Sequence, residues 1–204
     1  MQPVFLVPPD SLEYVPENYL YPLDLVAVFP GRSGLPLEID LGAGDGDFIL
    51  EMVKRHPERN FLAVERLMGR LTKICRKLAR IAAPNARTLR IESHYFVRYL
   101  LPPGSVNIFH IMHPDPWPKR RHHGNRLIQT EFLDVVHRAL APGGELRLTT
   151  DNEDYFKHMR AVFEAHPGFV EEPWDPGEEY PQTDFERQYR AKGQPIFRAL
   201  LRRG

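Results

Sequence analysis

The chain has 204 residues, a length typical of one domain with a full hydrophobic core. Its 42% hydrophobic and 26% charged residues are ordinary for a soluble globular protein. A single cysteine, Cys75, excludes an intrachain disulfide framework and suits a reducing cytoplasm. We find no apolar run near the ~18 residues of a membrane helix and no signal-peptide pattern at the start, so we expect a cytoplasmic protein without a membrane partner.

The charges are unevenly distributed along the chain, although the formal net charge is zero. Between Glu65 and Glu92 there are eight Lys or Arg residues and no acid, whereas Asp151 to Glu186 holds eleven acids and only two basic residues. A zero total alone argues against a nucleic-acid partner. A local basic face matters more than the total, so that partner class stays open.

The predicted elements alternate between strand-like and helical patterns. Residues 1–34 hold six prolines and no periodicity, and we predict an irregular N-terminal arm there, followed by a single domain over 35–204. The predicted strands cover 37–41, 60–65, 88–91, 106–112 and 145–149, with late strands near 168–172 and 196–202; the predicted helices cover 46–55, 67–83, 128–140 and 153–165. This alternation predicts an α/β fold with a mostly parallel sheet of about seven strands.

A glycine-rich turn leaves the first strand, with Gly42, Gly44 and Gly46 directly after Asp40. Glycine lets a ligand approach the backbone, and the next helix offers free N–H groups. The spacing differs from the Gly-x-Gly-x-x-Gly of dinucleotide sites. Because a carboxylate at Asp40 repels a pyrophosphate but pairs with an ammonium, the turn favours S-adenosylmethionine over NAD.

Two further strands also end in acids. Glu65 stands where a carboxylate binds the ribose hydroxyls of an adenosine, and Glu92 with Ser93 stands where an adenine amino group is bound. A carboxylate at such a position also caps helices, and this alternative stands for each acid alone. Three successive strand-end acids after a glycine turn predict an adenosine site.

The fourth strand runs into a proline-rich loop over 114–122. Three prolines in five residues exclude helix and sheet pairing, so we expect a stiff, extended loop carrying Asp115, Trp117 and a block of cations. Such a loop at the carboxyl end of a strand is where α/β proteins bind ligands. A plain surface turn is the alternative, as is a packing role for Trp117.

Three separated motifs resemble the bacterial tRNA (guanine-N7-)-methyltransferases, over about residues 37–203. They are Pro114-Asp-Pro-Trp-Pro-Lys119 with Arg121-His122, Thr150-Asp-Asn152, and Thr183-Asp-Phe-Glu186 with Gly193-Gln-Pro-Ile-Phe197. The resemblance implies a Rossmann-like class I methyltransferase fold. It also implies transfer of a methyl group from S-adenosylmethionine to N7 of the variable-loop guanine, position 46, of tRNA. It implies no metal and no DNA partner, and leaves open whether the protein is a monomer or a homodimer.

The resemblance also assigns roles to individual residues. The cofactor residues are Asp40, Gly42, Gly44, Gly46, Glu65, Glu92, Ser93 and Asp115, with Asp115 also the active-site acid; the tRNA residues are Lys119, Arg121, His122, Asp151, Thr183, Asp184, Phe185 and Glu186. Methyl transfer moves positive charge from sulfur onto the purine, and a fixed carboxylate stabilises that charge, which makes Asp115 and Asp151 the candidates. For Asp151, a helix N-cap is the alternative.

Further basic residues extend the predicted RNA surface. Arg120, Arg126 and His123 add phosphate contacts, and the helix over 67–83 carries a second basic face opposite a core stripe that starts at Leu67. That face comprises Arg66, Arg70, Lys73, Lys77 and Arg80.

The sequence departs from the family pattern at several positions. The family usually has Glu where Asp40 stands and Asp where Glu92 stands. Gly124 and Asn125 replace commonly basic residues, and Asp184 stands where Lys or Glu is usual. A methyltransferase for another RNA or a protein therefore stays open, as does a non-catalytic RNA-binding relative.

A metal-dependent hydrolase is the remaining rival. It would use His110, His113, His122, His123 and Asp115. The spacing of His110 and His113 on a strand directs them to opposite faces, which disfavours a shared metal.

Overall fold

The computed structural model describes residues 7–177, 180–182 and 184–204, without the side chains of Pro9, Asp184, Phe185, Gln188 and Arg190. The chain forms two compact units, Met1–Pro102 and Pro103–Gly204. No helix in the described part of the chain is long and apolar enough to cross a membrane.

The first unit is a three-stranded parallel sheet with helices, in strand order β3-β2-β1. Its elements are a 3-10 helix Pro9–Leu12, α1 Leu25–Val28, β1 Leu37–Leu41, α2 Asp47–Arg55, β2 Asn60–Val64, α3 Met68–Arg80, β3 Ala86–Leu89, α4 Ser93–Tyr95 and a π-helix Phe96–Leu100. Every residue of β1 and β2 is buried, as expected for parallel strands covered on both faces.

The second unit continues the α/β pattern and closes with antiparallel strands. Its elements are β4 Val106–Met112, a 3-10 helix Arg120–Asn125, α5 Thr130–Ala139, β5 Leu140–Thr150, α6 Glu153–Ala165, β6 Phe169–Glu172, α7 Asp184–Ala191 and β7 Phe197–Arg203. β4 pairs parallel with β5, and β7 pairs antiparallel with both β5 and β6.

The seven strands, mostly parallel and accompanied by helices, confirm the predicted α/β class. Several boundaries were wrong. β3 ends at Leu89 rather than Ile91, because its register with β2 pairs Val64 with Leu89. β5 begins at Leu140, since Val106 pairs with Leu140 before a register shift brings Ile108 opposite Glu145.

Other differences concern helices. The π-helix Phe96–Leu100 and α7 were not predicted, and residues 120–122, predicted as extended, belong to a 3-10 helix. The restraint from the prolines ends at Pro118, which leaves the residues after Lys119 free to coil. Leu67, predicted in the core stripe of α3, is 46% exposed because it lies in extended conformation just before the helix.

Candidate functional site

The glycine turn of the first unit leaves β1 and enters α2. Its first amides donate to the carbonyl of Val64, and Gly46 begins α2 with a φ of 81°. A Cβ atom at Gly46 would lie 2.8 Å from Cγ1 of Ile74 on α3. Only glycine fits here, because the position combines a left-handed backbone with close packing against a helix.

Asp40 is a buried acid at the end of β1, 1% exposed. Its Oδ1 atom accepts no hydrogen bond from the described residues. Burial, followed by the charge of Glu65, raises the pKa of Asp40 to about 7. A buried acceptor without a donor is costly, so this atom fits a ligand that brings its own N–H group, such as an ammonium.

Glu65 is buried at the end of β2 and uses both carboxylate oxygens. Oε2 accepts from the amide of Gly44 at 3.1 Å, and Oε1 accepts from the amide of Leu67 at 2.8 Å. The side chain therefore ties the end of β2 to the glycine turn. Each oxygen keeps a second lone pair with which it can accept from a hydroxyl group.

Glu92 begins α4 as its N-cap. Its two carboxylate oxygens accept from the amides of His94 and Tyr95, each at 2.7 Å. The capping alternative considered for this acid is therefore present, and Ser93 is the first residue of that helix. Glu92 itself is exposed, so its remaining lone pairs face outward.

Two lysines of the basic face of α3 bind the glycine turn. Lys73 pairs with the carboxylate of Asp45 at 3.2 Å, and Lys77 donates to the carbonyl of Asp45 at 2.8 Å and to the carboxylate of Asp47. Two of the five cations of the basic face therefore have a structural role, which is to hold the glycine turn. Arg70 and Arg80 are exposed on the same helix.

The proline loop of the second unit is strained. His113 and Trp117 have φ values of 52° and 44°, a left-handed conformation that is uncommon for bulky residues. Each precedes a proline, and the ring of Trp117 meets that of His122 edge-on at 5.8 Å. Asp115 is exposed between them. Strain of this kind persists only where surrounding contacts hold it, and it concentrates at functional sites.

The cations from Lys119 onward fall into two groups. Lys119, Arg120 and Arg121 are exposed, which leaves their charges accessible to an anionic ligand. Arg126 is 3% exposed and binds the carbonyl of Pro116 and the carboxylate of Asp154, so its guanidinium is engaged within the protein.

Asp151 follows β5 but does not cap α6. The cap is Asn152, whose side chain accepts from the amide of Tyr155 at 2.8 Å. The Oδ1 atom of Asp151 lies 3.5 Å from Nδ1 of His113. Burial lowers the pKa of His113, and the Asp151 carboxylate opposes that shift. The negative charge of Asp151 also raises the pKa of Tyr189, to which it is hydrogen-bonded.

The C-terminal motif is described only in part. Thr183 lies outside the described residues, and Asp184 and Phe185 are described as backbone in α7 without their side chains. Glu186 is 4% exposed and forms an ion pair with Arg198 on β7. Its carboxylate is therefore held inside the second unit.

The histidines of the rival hydrolase do not gather around one point. Nδ1 of His110 lies 2.8 Å from the hydroxyl of Tyr180, and His113 lies against Asp151. Within residues 7–177, 180–182 and 184–204, no group of three or more His, Cys, Asp or Glu side chains is arranged to hold a metal ion.

Sequence reasoning missed two supporting groups. Tyr155 is fully buried and its hydroxyl accepts from the amide of Ile128, and Lys77 holds the glycine turn. The i, i+4 spacing of Lys73 and Lys77 indicated a shared face, but nothing local indicated that the turn lay against it.

Comparison with known proteins gives a consistent result. A family model described as "Putative methyltransferase" matches residues 35–199. The tRNA (guanine-N(7)-)-methyltransferase of Myxococcus xanthus is 35% identical over 98% of this chain and 97% of its own, and that of Leifsonia xyli subsp. xyli is 39% identical over 86% and 78%.

Solved structures show the same fold. The 16S rRNA methyltransferase KamB has a TM-score of 0.61 and 17% identity over 89% of this chain and 93% of its own. The antibiotic-resistance methyltransferase Kmr has a TM-score of 0.59 at 19% identity over 89% and 91%. At this identity the likeness speaks for the fold alone, and it confirms the predicted Rossmann-like class I methyltransferase architecture. With the sequence relatives above, the chain belongs to the tRNA (guanine-N(7)-)-methyltransferase family.

Proposed function

We propose that this protein transfers a methyl group from S-adenosylmethionine to N7 of the variable-loop guanine, position 46, of tRNA. The relatives above, named for guanine-N7 methylation of tRNA, support the substrate. The observation that carries the cofactor is the Oδ1 atom of Asp40, a fully buried acceptor beside a glycine turn with no donor among the described residues.

The first unit supplies the proposed cofactor residues. Asp40 accepts from the ammonium of the methionine moiety, and Glu65 and Glu92 accept from the adenosine through the lone pairs that their backbone contacts leave over. Ser93 starts the helix behind Glu92. Gly42, Gly44 and Gly46 keep the backbone open for close approach. When bound, S-adenosylmethionine supplies an activated methyl group on a sulfonium.

The chemistry asks little of the protein beyond position and charge. N7 of guanine is a lone-pair nucleophile with no proton to remove, so no general base is required. Holding the nucleophile in line with the methyl supplies most of the effect. Asp115, placed by the proline loop, is the proposed catalytic residue, because its carboxylate stabilises the positive charge that develops on the purine. It is also a proposed contact of the cofactor.

The second unit supplies the proposed tRNA residues. Exposed Lys119 and Arg121, with His122, bind phosphates next to the target base. Asp151 accepts from the guanine N–H groups, and His113 lies beside its carboxylate. The motif Thr183, Asp184, Phe185 and Glu186 completes the guanosine contacts in this proposal. Such a substrate places the enzyme in the cytoplasm, with tRNA.

The deciding experiment measures both substrate and atom. Purified protein is incubated with unmodified tRNA and S-adenosylmethionine labelled in the methyl group, and the tRNA is digested and its nucleosides separated. We expect label in 7-methylguanosine alone. A matched tRNA transcript with adenine in place of the target guanine should take up none, and label in that control would contradict the proposal.

A second candidate is a methyltransferase for another RNA. Gly124 and Asn125 favour it, because both are exposed and uncharged at positions that are commonly basic in this family. The same assay with ribosomal RNA distinguishes the two. Cofactor binding without transfer to either RNA would indicate a non-catalytic relative.

A further inference from the structure

Arg126 differs from the other cations of the loop region. Lys119, Arg120 and Arg121 are exposed, whereas the side chain of Arg126 is 1% exposed. Burying a guanidinium is costly unless hydrogen bonds and charge compensate it. Its contacts therefore indicate what it does.

Three contacts, one from the proline loop and two from α6, compensate the buried guanidinium. Nε donates to the carbonyl of Pro116 at 2.9 Å, and Nη2 pairs with the carboxylate of Asp154. The guanidinium carbon lies 4.9 Å from the ring centroid of Tyr155, within reach of a cation–π interaction. Arg126 thus joins the proline loop to the first turn of α6.

The carbonyl that Arg126 holds belongs to the Pro116–Trp117 peptide, and Asp115 directly precedes Pro116. Two residues have left-handed backbone here, Trp117 in the loop and His113 just before it, and this conformation is strained for bulky side chains. A loop under such strain relaxes unless something restrains it. Among the described residues, the Arg126 side chain binds the middle of the loop directly.

A chain of contacts also leads from Arg126 to the residue that follows Asp151. Tyr155, under the guanidinium, donates its amide to the side chain of Asn152, which follows Asp151 directly. The phenol of Tyr155 is fixed by the amide of Ile128 at 3.0 Å. Arg126 is therefore attached to both segments that carry the proposed active-site acids of this unit.

We propose that Arg126 is a positioning residue for methyl transfer, holding the Pro116 carbonyl and thereby Asp115, and that it binds no RNA phosphate. This inference rests on the proposed function. It requires arginine, because lysine presents one compact ammonium in place of a planar fork that reaches Pro116 and Asp154 at once.

The test compares Arg126→Lys with Arg160→Lys, an arginine of α6 whose side chain is 46% exposed and which has no part in the proposed site. Arg126→Lys should lower kcat for tRNA methylation roughly tenfold to a hundredfold with KM for tRNA nearly unchanged, because loss of position affects the transition state. Arg160→Lys should leave both constants nearly unchanged. A rise in KM alone for Arg126→Lys would instead indicate a phosphate contact and overturn the proposal.

A second measurement needs no activity. In a Trp174→Phe background, Trp117 is the sole tryptophan, and acrylamide quenching of its fluorescence reports the order of the loop. Arg126→Lys should increase the quenching, and equal quenching would overturn the inference even if wild-type protein transfers no methyl to tRNA. An absence of methyl transfer to tRNA by the wild-type protein would count against the proposed function alone.

A variant on the surface covers the case in which Arg126→Lys does not fold. Asp154 is 70% exposed, so Asp154→Ala should fold and release one end of the guanidinium. We expect a smaller fall in kcat, of roughly threefold, with increased quenching. Unchanged kcat together with unchanged quenching would overturn the proposal.

Discussion

The glycine turn of the first unit and the proline loop of the second show two ways to build a ligand-binding loop. In the turn, positive φ values fall on glycines, Asp40 and Glu65 are buried, and Glu92 caps a helix. At the loop, positive φ values fall on His113 and Trp117, and the cations from Lys119 to Arg121 are exposed. Glycine permits close approach without strain, whereas prolines and a buried arginine hold a strained loop in place.

The largest effect is expected at Asp115 in the proline loop. Asp115→Ala should lower the methyl-transfer rate by at least roughly a hundredfold, because the carboxylate that stabilises the developing charge is lost. The exposed acid Asp175 of the same unit provides the control, and Asp175→Ala should retain full activity. Both variants should keep the wild-type melting temperature. Full activity in Asp115→Ala would remove this acid from the mechanism.

The glycine turn is tested by adding one methyl group. Gly46→Ala places Cβ 2.8 Å from Cγ1 of Ile74 at a φ of 81°, and should lower the free energy of unfolding by about 1–3 kcal/mol. Affinity for S-adenosylmethionine, measured by calorimetry, should fall at least roughly tenfold, because the turn must shift. Gly69→Ala is the matched control: it lies in α3 facing open space and should stabilise by up to about 1 kcal/mol. Similar effects in the two variants would contradict the steric account.

The exposed cations of the loop are tested by salt dependence. Lys119→Ala with Arg121→Ala should weaken tRNA binding roughly tenfold to a hundredfold and reduce the salt slope by about 2, with cofactor affinity unchanged. The paired cations Lys73 and Lys77 provide the contrast, because their variants should weaken cofactor binding more than tRNA binding. Filter binding at several salt concentrations measures the first effect. Equal losses of tRNA and cofactor affinity in the double variant would count against a phosphate role.

The smallest effect concerns the pH dependence of Asp40. Burial raises its folded-state pKa from 3.8 to about 7, so the native state keeps a proton that the unfolded chain releases. As the pH rises from about 4 to about 7, this group therefore progressively lowers the free energy of unfolding of the unliganded protein. Because an ammonium binds the ionised carboxylate, cofactor affinity should be roughly five- to tenfold higher at pH 7.5 than at pH 6.

Calorimetry at the two pH values measures this difference. Asp40→Asn should bind more weakly and lose the pH dependence. An unchanged pH dependence in that variant would assign the titration to another group.

Sequence reasoning was most successful where the determining interactions are local. The strands from Leu37 and Val106 were predicted with their observed bounds, because the first alternates apolar and acidic residues at the strand period and the second is a mostly apolar run. The π-helix Phe96–Leu100 was not predicted, because its sequence pattern is short. Glu92, which caps the helix just before it, had been interpreted as part of the adenosine site. Similarly, capping by Asn152 rather than Asp151 depends on one side-chain direction.

The sequence by itself determined the fold class, the family and the glycine turn, because strand periodicity and motif spacing are properties of short segments. The tertiary structure decided what each charged side chain does. Arg126 and Asp154 are 28 residues apart, and Lys77 and Asp45 are 32 apart, so their pairing depends on how distant segments fold together. A sequence does not show which residues lie near a charged side chain in the folded protein. Its burial and its partners decide whether that side chain binds a ligand or holds a loop.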